Sequence, residues 1–138
     1  MSGLFTANEF GDYRMLNYLH SQIMSRFDGP WGQRDAELTR AALSRPFRTA
    51  FGEELYPSRY DKAAALMDSI INNVVFKDGN KRTALAAAAL YLALDDLVIK
   101  VSANESEYFT HYMVTAKPTV QEVSTWLRTH TNPQTQLA

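Results

Sequence analysis

The residues best suited to chemistry lie in one short segment, residues 76–83, which reads FKDGNKRT. It joins two apolar stretches with helical periodicity, so it is predicted to be a turn between two helices. The first amides of the second helix lack partners within it and coincide with the positive end of the helix dipole. A helix start of this kind can bind an anion such as a phosphate group.

Three residues of the turn suit an anion. Gly79 allows a phosphate to approach the backbone, because glycine has no side chain in the way. Lys81 and Arg82 add two positive charges in the first helical turn, where they oppose the dipole unless an anion is bound. The residues alone leave another interpretation open, in which Lys81 and Arg82 form a solvated basic turn.

Asp78 also has two interpretations, and they are compatible. An aspartate immediately before a helix commonly acts as the N-cap, where its carboxylate accepts a hydrogen bond from a free amide. A carboxylate beside a phosphate site can also hold Mg²⁺, which takes one or two protein carboxylates and completes its shell with phosphate oxygens and water.

The surrounding periodicity predicts an all-α fold, a compact bundle of about six helices around a buried central helix. The first helix is expected from about Asn8 to Phe27, and the helix from Asp78 to about Asp95 is apolar on nearly all sides, as suits a central position. The predicted helices begin near Asn8, Asp35, Ser58, Asp78, Asn104 and Thr119. For three of these starts a carboxylate three residues later suggests a capping arrangement: Ser58 with Asp61, Asn104 with Glu107, and Thr119 with Glu122.

Two segments lack helical periodicity. Residues 47–57 are predicted to be a loop or short hairpin, and its two phenylalanines and one tyrosine either cover a site or pack into the core. Residues 98–101 are expected to form a brief strand or an extended turn.

Composition sets broad limits on the class of protein. The 138 residues fit one domain, expected over residues 1–130 and followed by a flexible tail over 131–138. Cysteine is absent, and the three histidines are far apart, so neither a disulfide framework nor a zinc site is expected. A net charge of −1 disfavours nucleic acid as a partner. Without a signal peptide or a long apolar span, the chain is expected to be a cytoplasmic protein with no membrane contact.

The turn closely resembles the signature of the Fic/Doc ("death-on-curing") family. That signature runs His-x-Phe-x-(Asp/Asn)-(Gly/Ala)-Asn-(Gly/Lys)-Arg between two helices, and residues 74–82 read VVFKDGNKR. Every fixed position matches except the first, where Val74 replaces histidine. Further likeness to Doc-type proteins in residue order and spacing extends over roughly residues 29–97.

This resemblance implies a Fic-type helical fold with ATP or another nucleotide, together with Mg²⁺, at the start of the central helix. By the likeness, Phe76 anchors the turn, Asp78 binds the metal, and the phosphates are cradled by Gly79, Asn80, Lys81 and Arg82. Lysine after the asparagine is the Doc variant, which is associated with transfer of a phosphoryl group. The family target is a threonine of a translation factor, elongation factor Tu, and a cognate antitoxin protein silences the toxin. Residues 47–57 correspond to the family's flap, which aligns the target peptide.

Val74 is the departure that puts activity in doubt. The family histidine takes the proton from the attacking hydroxyl, and valine cannot accept a proton. Losing a general base typically slows a reaction about 10²–10⁴-fold. Val74 also continues the apolar stripe of the preceding helix, so we expect that helix to run slightly longer and Val74 to be partly packed. Nothing in the spacing brings His20 or His111 to the turn as a replacement, so the catalytic residue is unknown.

The sequence is compatible with three functions. The first is a Doc-like domain that keeps the phosphate site but has impaired catalysis, acting as a regulator, decoy or binding partner, or being a decayed toxin. The second is an active phosphotransferase toxin, of kinase or nucleotidyltransferase type, whose base is altered or supplied by the substrate. The third is a non-catalytic interaction module whose basic turn is a relic.

Overall fold

The computed structural model describes residues 13–25 and 35–133. Within these ranges six α-helices dominate and the strands are short, which confirms the predicted all-α bundle. The helices are α1 (Tyr13–Met24), α2 (Ala36–Ser44), α3 (Arg59–Asn72), α4 (Asn80–Ala93), α5 (Ala103–Ala116) and α6 (Val120–Thr129). The predicted ends of the first helix, Asn8 and Phe27, lie outside the described residues.

Most helix starts follow from local hydrogen bonding. Asp35 caps α2, with its carboxylate accepting from the amide of Glu37 at 2.9 Å. Helices α3, α5 and α6 each begin with a capping box, formed by Ser58 with Asp61, Ser102 with Glu105, and Thr119 with Glu122. The predicted pair Asn104 with Glu107 is wrong by two residues.

The core is centred on the pairing of α3 with α4. Helix α3 is the more deeply enclosed of the two, with buried residues on nearly every side. Small side chains face this core on both helices, Ala63 and Ala64 on α3 and Ala84, Ala87 and Ala88 on α4. Alanine lets two helices approach closely, so the end of α3 and the start of α4 are held in a fixed relation.

Two antiparallel pairs of strands complete the fold. Strands β1 (Thr49–Ala50) and β2 (Glu53–Glu54) form a hairpin, as residues 47–57 suggested. Strand β3 (Leu97–Ile99) pairs with β4 (Thr131–Pro133). Residues 131–133 are therefore part of the fold and do not belong to a flexible tail, which is a correction; residues 134–138 lie outside the described part of the chain.

Helices α5 and α6 pack through aromatic rings. Trp126 stacks on Phe109 at a centroid distance of 3.8 Å and on His130 at 4.2 Å. No helix in the described ranges is both long enough and apolar enough to cross a membrane.

Candidate functional site

Helix α3 ends in a Schellman motif. This motif begins the polar turn, the segment of residues 73–79 between α3 and α4. The amide of Val75 donates to the carbonyl of Ile70 and the amide of Val74 donates to that of Ile71, both at 3.3 Å. These are the 6→1 and 5→2 bonds of that motif, and they leave Val74 in the left-handed conformation with φ of +49°. Glycine usually occupies this position, because a β-branched side chain is strained there.

The environment of Val74 differs from the sequence expectation. Helix α3 stops at Asn72 instead of running longer, and the side chain of Val74 is 42% exposed. The apolar stripe is continued by Val75, which is completely buried. Reversing the backbone at Val74 turns much of its side chain toward solvent, so the expectation that Val74 would extend the helix was wrong.

Phe76 and Asn80 close the turn between them. The side-chain amide of Asn80 accepts a hydrogen bond from the amide of Phe76 and donates one to its carbonyl, both at 2.9 Å. The Phe76 ring is fully buried, in agreement with its expected role as an anchor. The side chain of Asn80 is therefore committed to the turn, and its expected contribution to phosphate binding falls to its backbone amide.

The N-cap of α4 is Gly79, with φ of +78°, and not Asp78. The predicted capping role of Asp78 is thus wrong. The exposed Asp78 side chain lies one residue before the cap, where its carboxylate accepts from the amide of Gly79 at 2.7 Å. Gly79 makes no side-chain cap, so the first amides of α4 are left to other acceptors.

His20 on α1 lies directly behind this turn. Its Nε2 is 2.7 Å from the carbonyl oxygen of Asp78, and its ring stacks on Phe76 with centroids 3.9 Å apart. The expectation that no histidine reaches the turn was wrong for His20. It is only 2% exposed and bonded to the backbone, however, so it is not placed to take the role that the resemblance expects of a histidine at position 74. His111 is an exposed residue of α5.

An apolar cleft of about 520 Å³ lies beside the first turns of α4. Lys81 and Arg82 line it together with apolar residues of α4 and β3, namely Leu85, Ala86, Ala89 and Ile99. Polar groups on the α5 side come from Ser106, Glu107 and Thr110. Sequence reasoning missed this cleft, because it depends on the packing of β3 and α5 against α4.

The hairpin of β1 and β2 carries a fully exposed ring. Phe51 and Gly52 are the two connecting residues, with φ of +53° and +80°, as in a type I′ turn. Phe51 therefore does not pack into the core, which was the alternative to a covering role for the aromatic rings of this loop. Because phenylalanine is disfavoured at positive φ, the exposed ring is held at a conformational cost.

Two cations, the buried Lys62 and the half-buried Arg45, fasten the hairpin to α3. Lys62, 8% exposed, donates to the carboxylate of Glu54 at 2.7 Å and to the carbonyl of Tyr56. Arg45 pairs with Asp68 and donates to the hydroxyl of Tyr56 at 3.1 Å. Burial alone would lower the pKa of Arg45, but the hydrogen bonds that Arg45 donates to Asp68 and Tyr56 outweigh it and raise the pKa above its ordinary value.

The described residues contain no group of three or more histidine, aspartate or glutamate side chains that could hold a metal by themselves. The exposed carboxylate of Asp78 stays the predicted metal ligand. Mg²⁺ takes one or two protein carboxylates and usually retains substrate oxygens and water in its shell.

Residues 10–92 match the profile of the Fic/DOC family. The chain belongs to the Fic/DOC family. The match covers more than half of the chain and includes α1 to α3, the polar turn and nearly all of α4.

The Fic/DOC chain is also similar to a curated protein, "Toxin Doc" of Mycolicibacterium smegmatis. The two are 46% identical over 69 residues, which make up 50% of this chain and 53% of that protein. The matched region thus spans about half the length of the curated relative.

Proposed function

We propose that this protein is a Doc-like toxin-type domain that binds nucleotide phosphates at the start of α4 and has impaired catalysis. One observation carries the proposal. Lys81 and Arg82, in the first turn of α4, line an apolar cleft of about 520 Å³. Cations beside an apolar space suit a ligand with a charged phosphate end and a less polar body, as in a nucleotide.

The turn supplies the remaining features of the anion site. Gly79 presents no side chain, and the early amides of α4 point out of the helix start. Asp78 is exposed beside them and would hold Mg²⁺ through its carboxylate. When bound, Mg²⁺ neutralises phosphate charge and orients the group to be transferred.

Impaired catalysis follows from Val74, at the position where the family resemblance expects histidine. Its exposed side chain sits at the junction before the turn, so a histidine at the same place would project toward solvent. Valine offers no proton acceptor, and His20, which contacts the turn, is buried against Phe76.

An active phosphotransferase that modifies a protein hydroxyl is the second candidate. It is favoured by the intact cationic turn, because phosphoryl transfer depends mainly on positioning and charge neutralisation. On either reading we propose an antitoxin protein as partner, since the similar protein is named a toxin. A translation factor remains the proposed target.

Calorimetry with ATP and Mg²⁺ tests the binding site. We expect wild type to bind and Arg82→Ala to reduce affinity at least tenfold, because a charge-assisted contact to phosphate contributes about 1.5–3 kcal/mol. The matched control is Arg128→Ala. Arg128 lies over the ring of Tyr60 in the first turn of α3. The polar turn follows the last turn of that helix, so Arg128 lies at the opposite end of α3 from the proposed site. Equal affinities for wild type and Arg82→Ala would remove the site from this turn.

Expression toxicity tests the catalytic part. Cells producing Val74→His should stop growing and show phosphoryl transfer at a rate about 10²–10⁴-fold above wild type. If wild type arrests growth and transfers labelled phosphate as well as Val74→His does, the second candidate replaces the first.

A further inference from the structure

His20 on α1 makes both a hydrogen bond and a ring-stacking contact with the polar turn. Its ring lies almost parallel to that of Phe76, with an interplanar angle of 4°. Its Nε2 is 2.7 Å from the carbonyl oxygen of Asp78. An added Cβ at Gly79 would lie 3.4 Å from that Nε2 and 2.7 Å from Sδ of Met24, so α1 lies tightly against the backbone of the turn.

The bond to Asp78 fixes the orientation of one peptide group. The carbonyl of Asp78 and the amide of Gly79 belong to the same planar unit, so holding one directs the other. Glycine accepts φ of either sign, and the unit before Gly79 can therefore flip at little steric cost. A flip would break the bond to His20 and turn the carbonyl toward the start of α4, where it would repel an anion.

We propose that His20 is a positioning residue that locks the Asp78–Gly79 peptide and so keeps its carbonyl turned away from the ligand, while the Gly79 amide stays bonded to the Asp78 carboxylate. This inference rests on the proposed phosphate site. Because the acceptor is a carbonyl, Nε2 carries the proton and donates it. The residue acts through the backbone and does not touch the ligand.

Two substitutions separate the hydrogen bond from the ring. His20→Phe retains an aromatic ring against Phe76 but removes the donor, whereas His20→Gln retains an amide donor near the position of Nε2. We expect His20→Phe to weaken binding of ATP with Mg²⁺ about tenfold or more and His20→Gln to remain within about threefold of wild type, since a tenfold change corresponds to one net hydrogen bond.

A readout without ligand distinguishes positioning from general packing. In ¹⁵N NMR spectra of the full chain, the Gly79 amide resonance should broaden in His20→Phe, because the peptide then exchanges between two orientations, and should stay as sharp as in wild type in His20→Gln. A Gly79 resonance that stays sharp in His20→Phe would overturn the proposal, and so would equal loss of affinity in both variants.

The histidine tautomer in wild type provides a test that needs no variant. The ¹⁵N shifts of the His20 ring should show a protonated Nε2; a ring protonated at Nδ1 alone would contradict the lock. If wild type fails to bind nucleotide, the proposed function fails, while the Gly79 resonance and the His20 tautomer still decide whether the peptide is locked.

Discussion

Val74 and Val75 are adjacent valines in opposite environments. Val75 is completely buried and continues the apolar face of α3, whereas Val74 is 42% exposed with φ of +49°. The left-handed residue that ends α3 is thus a β-branched one, at the position where the family resemblance expects a histidine. Conformational strain and the departure from the family signature therefore fall on the same residue.

Replacing Val74 with asparagine should stabilise the protein, because asparagine tolerates the left-handed conformation. We expect the free energy of unfolding to rise by about 0.5–1 kcal/mol, measured by urea denaturation. Val114→Asn is the matched control, since Val114 is 41% exposed but lies within a right-handed helix. That variant should be neutral or slightly destabilised; equal effects would argue against strain at Val74.

Phe51→Asn tests whether the hairpin tip is strained because a phenylalanine occupies a position with positive φ. Asn-Gly is a favoured pair for a type I′ turn, so the change should raise stability by a few tenths of a kcal/mol, up to about 1 kcal/mol. Phe47→Asn serves for comparison, because the Phe47 ring meets Tyr91 edge-on at 6.1 Å. Its loss should lower stability by about 0.5–1.5 kcal/mol. Thermal unfolding distinguishes the two, and destabilisation by Phe51→Asn would refute the idea.

Asn80→Ala should destabilise the polar turn, because it removes both hydrogen bonds to the backbone of Phe76. The expected loss is about 1.5–3 kcal/mol in the free energy of unfolding, measured in urea. Asn104→Ala, an exposed change in the first turn of α5, should cost much less. If the two variants lose the same stability, the Asn80 amide does not hold the turn.

Acid stability should depend on Asp61, which links the start of α3 to Ser124 of α6 through a 2.6 Å hydrogen bond. Burial alone would raise the pKa of Asp61, but hydrogen bonds from Ser124 and Ser58 outweigh it and lower the pKa. A lowered folded-state pKa stabilises the protein above the unfolded value of about 3.9, and this contribution disappears as pH falls through the folded value.

The measurement is the free energy of unfolding of wild type, Asp61→Asn and Ser124→Ala between about pH 6 and pH 2. Stability should fall less steeply with acid in Asp61→Asn, where nothing titrates at that position, and Ser124→Ala should lie between the two. Three parallel curves would exclude Asp61 as a source of the acid dependence.

Local sequence patterns predicted the features that depend on local chemistry. Asp35 caps α2, and the capping boxes at Ser58 and Thr119 form as expected. The hairpin was also anticipated, because its residues lack helical periodicity. These outcomes follow from interactions within a few residues, which spacing along the chain describes well.

The polar turn shows where local reasoning stops. Spacing suggested that Val74 would extend α3. Instead, a Schellman motif ends the helix before Val74, and Val75 is the valine that is buried. His20 reaches Asp78 from 58 residues away, a contact set by how α1 packs on the turn. The cleft beside Lys81 likewise needs three elements in place. Only the tertiary fold fixes these relations.

The pairing of β3 with β4 has a consequence for how the protein opens. Because β3 and β4 pair antiparallel, with Val98 opposite Asn132, the two ends of the segment 97–133 are held together, and α5 and α6 lie between them. The segment has a second attachment, because α6 packs on α3 and Ser124 bonds to Asp61. Deleting residues 131–133 would remove the strand pairing alone, and should speed amide proton exchange in β3 and in α5, which supplies one side of the cleft.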